Sequence, residues 1–117
     1  MGPVVRVSII RCAPDKFTEI RQMMVDADQT LRPGIEAMRG LLGFYAGADE
    51  ATSSLMNVSL WIDLAAAKQL DTFEPMLQLG RAFVAKGATF ERPVMNYETL
   101  WQLKASGSDG STAQGTL

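Results

Sequence analysis

LMNVSLWID, the segment Leu55–Asp63, has the composition of a β-strand, and its alternation gives it two unlike faces. Met56, Val58, Leu60 and Ile62 fall on one side, all apolar. Leu55, Asn57, Ser59 and Trp61 fall on the other, where an amide, a hydroxyl and an indole interrupt the apolar run. A half-exposed strand is polar along one whole face, and a core strand is apolar on both. This strand is neither. It predicts a sheet covered on both sides, with polar groups held under one of the covers.

The flanking sequence supplies the rest of that sheet. Val4–Cys12 (VVRVSIIRC) is a second strand with the same division, Val5, Val7 and Ile9 against Arg6, Ser8 and Ile10. Pro14 suits a first helical turn, with Asp15 and Glu19 near its positive end, and Phe17, Ile20, Met24, Ala27 and Leu31 recur at helical spacing. Pro33 and Gly34 are expected to stop this helix. Leu41–Ala48 (LLGFYAGA) reads as a strand, joined to Leu55 by the hairpin-like ADEATSS. Asp63 is placed to cap the helix former LAAAKQLDTFE, and Pro75 to kink or restart it. Met76, Leu79, Gly80, Phe83 and Val84 make the inner stripe of its second half, and Gly87 ends it. Val94–Leu103 (VMNYETLWQL) is expected as the last strand.

The order β-α-β-β-α-β predicts an α+β, ferredoxin-like fold: one antiparallel sheet with both helices on one face. The domain is expected to span 1–103, and the small polar residues of 104–117 to form a flexible tail. Two helices cover one face only. The face bearing Met56, Val58, Leu60 and Ile62 would remain wet at about 25 cal/mol per Å². Monomers rarely expose such a patch, so a homodimer packed sheet against sheet is expected.

Composition narrows the function. The 117 residues, 47% hydrophobic, make one domain with a packed core. A net charge of −2, with 11 basic residues scattered along the chain, argues against a nucleic-acid partner. No apolar run reaches membrane-spanning length, the start does not resemble a signal peptide, and Arg6 breaks the myristoylation pattern of MGPVVR. Cys12 is the single cysteine, which predicts an inert buried thiol and a cytoplasmic setting. There is no histidine.

In this fold the first and third strands are neighbours, which sets Arg6 and Ser8 beside Asn57, Ser59 and Trp61. A buried polar group left unpaired costs about 1–3 kcal/mol. Two readings follow: the groups satisfy one another, or they line a cavity where a ligand or water does so. Trp61 is equally readable as core, and Arg81, at the flank of its helix stripe, as a solvated charge.

Asn57 and Trp61 in the third strand, with Asp63 opening an alanine-rich helix, resemble the antibiotic biosynthesis monooxygenase family of dimeric α+β barrels, from about Val4 to Leu103. That resemblance implies a small-molecule pocket between sheet and helices. Some members oxidise polycyclic phenolic or anthrone-type substrates with molecular oxygen and no cofactor; others degrade haem. The cofactor-free members use a strand asparagine, a tryptophan four positions on and an arginine on the second helix. Asn57, Trp61 and Arg81 match these as catalytic residues, with Arg6, Ser8 and Ser59 as substrate-binding neighbours. Ala67 stands where those enzymes have a tyrosine, leaving Tyr45, Tyr97 and Glu98 as candidates for the missing base. The haem-degrading branch ligates iron through a histidine that this chain lacks, so no cofactor and no metal are expected. Two alternatives remain: a non-catalytic dimeric ligand-binding or stress-related module, and a non-oxidative isomerase or cyclase using the same polar patch.

Overall fold

The two strands with divided faces lie side by side at the centre of the sheet. In the computed structural model, which describes residues 2–105, β1 (Val4–Arg11) pairs antiparallel with β3 (Ser54–Trp61). Arg6 lies opposite Ser59, Ser8 opposite Asn57, Val4 opposite Trp61 and Ile10 opposite Leu55. β2 (Leu41–Asp49) flanks β3, while β4 (Thr89–Phe90) and β5 (Met95–Glu98) follow one another along the far side of β1. The helices α1 (Phe17–Glu36), α2 (Leu64–Ala67) and α3 (Glu74–Ala85) complete the α+β, ferredoxin-like arrangement.

Three boundaries differ from expectation. Pro33 and Gly34 do not stop α1, which continues to Glu36 because Leu31 and Ile35 are both buried on its inner side. Gly34 serves another purpose: a Cβ there would lie 2.5 Å from Phe73 Cζ, so only glycine lets that ring approach the helix. The second helix is not continuous. Asp63 caps α2, its Oδ1 accepting the Ala66 N–H at 2.8 Å, and a 3₁₀ turn over Lys68–Thr72 then separates α2 from α3. Pro75 restarts helical structure in the first turn of α3, and Gly87, with φ of +94°, follows its end. The last strand is shorter than Val94–Leu103. After β5 the Thr99 N–H still reaches the Pro3 carbonyl at 3.0 Å, and among the described residues no strand pairing continues beyond it. Leu100, Trp101 and Leu103 are accordingly exposed.

The core divides into two clusters at opposite ends of the helix-facing surface. Val4, Ala27, Leu31, Ile35, Trp61, Ala66, Ala67 and Leu70 form one; Ile10, Phe17, Ile20, Leu55, Phe83 and Ala88 form the other. Between them lie the polar rows Arg6–Ser59 and Ser8–Asn57. The opposite sheet face carries Val5, Val7 and Ile9 against Leu60, Val58 and Met56, bordered by the exposed Tyr45, Met95 and Tyr97. Ile62, expected on that face, lies one residue past β3, with its side chain against Gly40. No helix of the described residues is long and apolar enough to cross a membrane. The expected tail, 104–117, lies outside the described residues except for Lys104 and Ala105.

The Ala66 N–H, helped by Arg39, holds the Asp63 carboxyl below the usual carboxylate range. A depressed folded value means stability that is present above the unfolded pKa and is lost as pH falls through the folded one. Asp63→Ala should therefore lower Tm by several degrees at neutral pH, Asp63→Asn by less, since an amide still caps. In melts run towards acid, the gap between wild type and Asp63→Asn should shrink as Asp63 protonates.

Candidate functional site

Where the two core clusters part, a cleft of about 430 Å³ opens between the sheet and α3. Arg6, Ser8, Asn57 and Ser59 line it from the sheet. Leu70, Met76, Val84 and Phe90 supply apolar wall, and Arg81 and Arg92 also border it. A second cleft of about 570 Å³ lies between α1 and β2, lined by Leu31, Ile35, Leu41 and Ala46 among others. Asn57 and Phe44 border both.

The polar groups are incompletely satisfied. Arg6 is only 8% exposed. Its Nη2 forms an ion pair with Asp71 Oδ1 at 2.9 Å, but Nη1 is buried with no hydrogen-bond partner among the described residues. Asn57 Oδ1 and Asn96 Oδ1, the latter on the strand residue opposite Arg6, are buried and unpartnered in the same sense. Arg81 lies on the outer turn of α3, where its Nη2 donates to Glu74 Oε2 at 2.7 Å and most of the side chain is in water. It meets the cleft as a paired, largely solvated guanidinium.

Trp61 departs from its expected role. The indole is fully buried with Ala66 and Ala67 and does not line the cleft. Its Nε1–H donates to Ser59 Oγ at 2.8 Å. The reason is strand parity: Trp61 is two positions after Ser59, with one residue between, so both point towards the helices, but Trp61 lies at the strand's end beneath α2. It acts on the cleft at one remove, occupying an acceptor position of Ser59 and leaving the hydroxyl proton for another partner. Ala67, at the tyrosine position of the resembled enzymes, is core in the same cluster.

None of the candidate bases borders either large cleft. Tyr45 pairs with Val58 and Tyr97 with Val5, so both stand on the open sheet face, and Glu98 sits at the end of β5. Cys12, half-buried, donates its Sγ–H to the Ser53 carbonyl at 3.5 Å, and burial, seconded by Asp15, pushes its pKa up. It is therefore a poor nucleophile. Among the described residues no three His, Cys, Asp or Glu side chains gather closely enough to hold a metal.

Several lining residues escaped the sequence. Phe44 reaches the cleft because the β2–β3 register shifts between Leu41 and Gly43. That bulge places Leu41, opposite Trp61, and Phe44, opposite Ser59, on the same face although three residues apart. Asp71 comes from the 3₁₀ turn, and Arg92 stacks over the Phe90 ring at 5.2 Å. No local pattern marks either residue.

By sequence the chain matches no family model and no curated protein. By structure it is similar to a candidate antibiotic biosynthesis monooxygenase from Deinococcus radiodurans, with a TM-score of 0.68, 17% identity, and 89% of this chain and 99% of that one covered. This chain has the antibiotic biosynthesis monooxygenase fold. A second such candidate, from Caulobacter crescentus, aligns at TM-score 0.62 and 13% identity over 86% of this chain and 92% of its own. SnoaB, a cofactor-independent oxygenase from Streptomyces nogalater, aligns at TM-score 0.58 and 16% identity over 90% of this chain and all of its own length. Identities this low establish the monooxygenase fold and leave chemistry to the cleft itself.

If Ser59 is held by Trp61, Trp61→Phe should cost about 1–3 kcal/mol in urea unfolding, chiefly from the uncompensated hydroxyl. Adding Ser59→Ala should recover part of that loss, because both ends of the bond are then gone. Strictly additive losses would show that the bond contributes nothing.

Proposed function

We propose that the protein is a cofactor-independent monooxygenase acting on a small aromatic or quinol-like substrate bound in the cleft between sheet and helices. The observation that carries this reading is Asn57: a half-buried amide with a buried, unpartnered Oδ1, on the polar floor of a cleft whose helix side is largely apolar, in a fold shared with a cofactor-independent oxygenase. A buried amide oxygen left without a partner calls for an explanation, and a nearby ligand supplies one.

The chemistry asks little of the protein. An anthrone-type carbanion is electron-rich enough to reduce oxygen directly: the ring methylene and O₂ yield a quinone carbonyl and water, and the substrate supplies all the electrons. What accelerates the reaction is ionisation of the substrate in a dry site. The Asn57 amide accepts from a substrate hydroxyl through Oδ1, or donates through its NH₂ to the oxyanion formed. Arg81 adds positive charge at the cleft, tempered by Glu74 and by water. Ser59, with its acceptor taken by Trp61, contributes a hydroxyl donor.

Ala67 favours a second reading. A proton-transferring tyrosine at that position is missing, and a non-oxidative isomerase, or a module that only binds, needs none. Oxygen uptake separates these readings. Protein free of metal and flavin should accelerate oxygen consumption with an anthrone, and Asn57→Leu should cut the rate about 10²-fold, the usual scale for one oxyanion donor. Ligand binding without oxygen uptake would favour the second reading.

A homodimer belongs to the same proposal. It is supported by the open sheet face, where Met56, Val58 and Leu60 join Val5, Val7 and Ile9, with the exposed Leu100, Trp101 and Leu103 available to extend the contact. Val58→Lys should give monomer or aggregate in light scattering. A dimer of unchanged stability would put the interface elsewhere. The single cysteine supports a cytoplasmic setting.

A further inference from the structure

We propose that the two clefts are halves of one trough across the sheet, and that Phe44 is the partition between them. Phe44 thereby sets how long a ligand the cleft over Asn57 accepts. This rests on that cleft being the ligand site and assigns Phe44 as its specificity-determining residue.

The strand registers lay out the floor. Ser8, Asn57 and Ala46 stand opposite one another on β1, β3 and β2, in one row at right angles to the strands. Ser8 lines the cleft under α3, Ala46 the cleft beside α1, and Asn57, between them, borders both. Neighbouring strands lie about 4.8 Å apart, so this row alone spans about 10 Å. The floor stays low on the β2 side, where Ala46 and Ala48 carry only methyl groups. On one flank of the row, Leu55 and Ile10 belong to a core cluster. On the other flank stands Phe44, opposite Ser59.

Phe44 packs against the core cluster that holds Leu31 and Trp61, and it also borders both clefts. An aromatic kept for the core alone is enclosed by neighbours. This one is half-buried, with space on either side of it. The bulge puts it there. Without the shift between Leu41 and Gly43, alternation from Leu41 would turn Gly43 and Tyr45 to this face in place of Phe44 and Ala46. One irregularity thus supplies both the low floor and the partition. The half beyond Phe44 suits a neutral group. Leu31, Ile35 and Leu41 line it, and on its rim Arg21 and Arg32 are matched in number by Asp28 and Glu36. The part of a ligand that passes Phe44 is therefore an uncharged aryl or alkyl extension.

The test compares two probes, 2-naphthol and 6-(4-hydroxyphenyl)-2-naphthol, the same ring system lengthened by a phenol. Each is titrated into the full-length protein by calorimetry and by NMR. Wild type should gain nothing from the added ring. Phe44→Ala should leave 2-naphthol near its wild-type affinity and shift the ratio of affinities towards the longer probe by about tenfold or more, the effect of burying one further ring. Only in that variant should the longer probe move the methyl resonances of Ala46 and Ala48. Phe44→Leu should shift the ratio part-way and provides the test if Phe44→Ala does not fold. A general loss of stability would weaken both probes alike, so the ratio reads the partition. A ratio unchanged in both variants, Ala46 and Ala48 already perturbed in wild type, or no binding of either probe to any of the three proteins would overturn the proposal. Failure here is distinct from failure of the oxygenase reading. A length preference governed by Phe44 with no oxygen uptake sinks only the oxygenase. Oxygen uptake with an anthrone and no effect of Phe44 on length sinks only the partition.

Discussion

Two rows of polar side chains across the central strand pair, Arg6 with Ser59 and Ser8 with Asn57, constrain everything built over them. They sit where a sheet covered by helices would ordinarily be most apolar. Because they cannot be packed over with hydrocarbon without leaving polar atoms unpaired, the core separates into a cluster at each end of the strands. The space between is the cleft. Trp61 shows the same constraint from the other side: a large aromatic in the first cluster directs its one polar atom to Ser59, joining core to cavity floor.

The helices reach over this floor without closing it. A single continuous second helix would place Asp71 by helical period alone; the 3₁₀ turn after Ala67 sets its carboxylate on Arg6. α1 continues past Pro33 because its inner side still has Ile35 to bury, and Gly34 admits the Phe73 ring against it. α1 and α3 are also joined by an ion pair between Lys86 and Glu19, which holds the Glu19 carboxyl below its ordinary range. These contacts hold the helices at the ends of the sheet and leave the middle open.

The similar structures share 13–17% of their residues with this chain, yet TM-scores reach 0.68. Such a fold is kept at very low sequence identity, because alternation and helical period are enough to rebuild it. What distinguishes one cleft from another is then the few polar side chains that line it. Here they are an unpartnered asparagine, a half-engaged arginine and a serine held by an indole.

Much of this was legible in the chain itself. The period-two division of Leu55–Asp63 and Val4–Cys12 determined the paired strands and their faces, because alternation along a strand is fixed by backbone geometry and needs no partner. Asp63, Pro75 and Gly87 marked helix ends through their own local chemistry. That Asn57, Ser59, Arg6 and Ser8 lie side by side followed from strand adjacency; that a cleft opens over them did not. What the sequence could not decide was reach. Trp61 and Ser59 share a face, but only packing at the strand's end buries one beneath α2 and leaves the other on the cleft. Phe44 enters through a bulge, Asp71 through a 3₁₀ turn, and Arg92 from a connecting loop, and none of these has a period to read. The last strand ends where its pairing with β1 ends, a limit set by its partner. Local rules determine which way a side chain points; only the tertiary structure decides what it meets there, since that depends on residues far away in the chain.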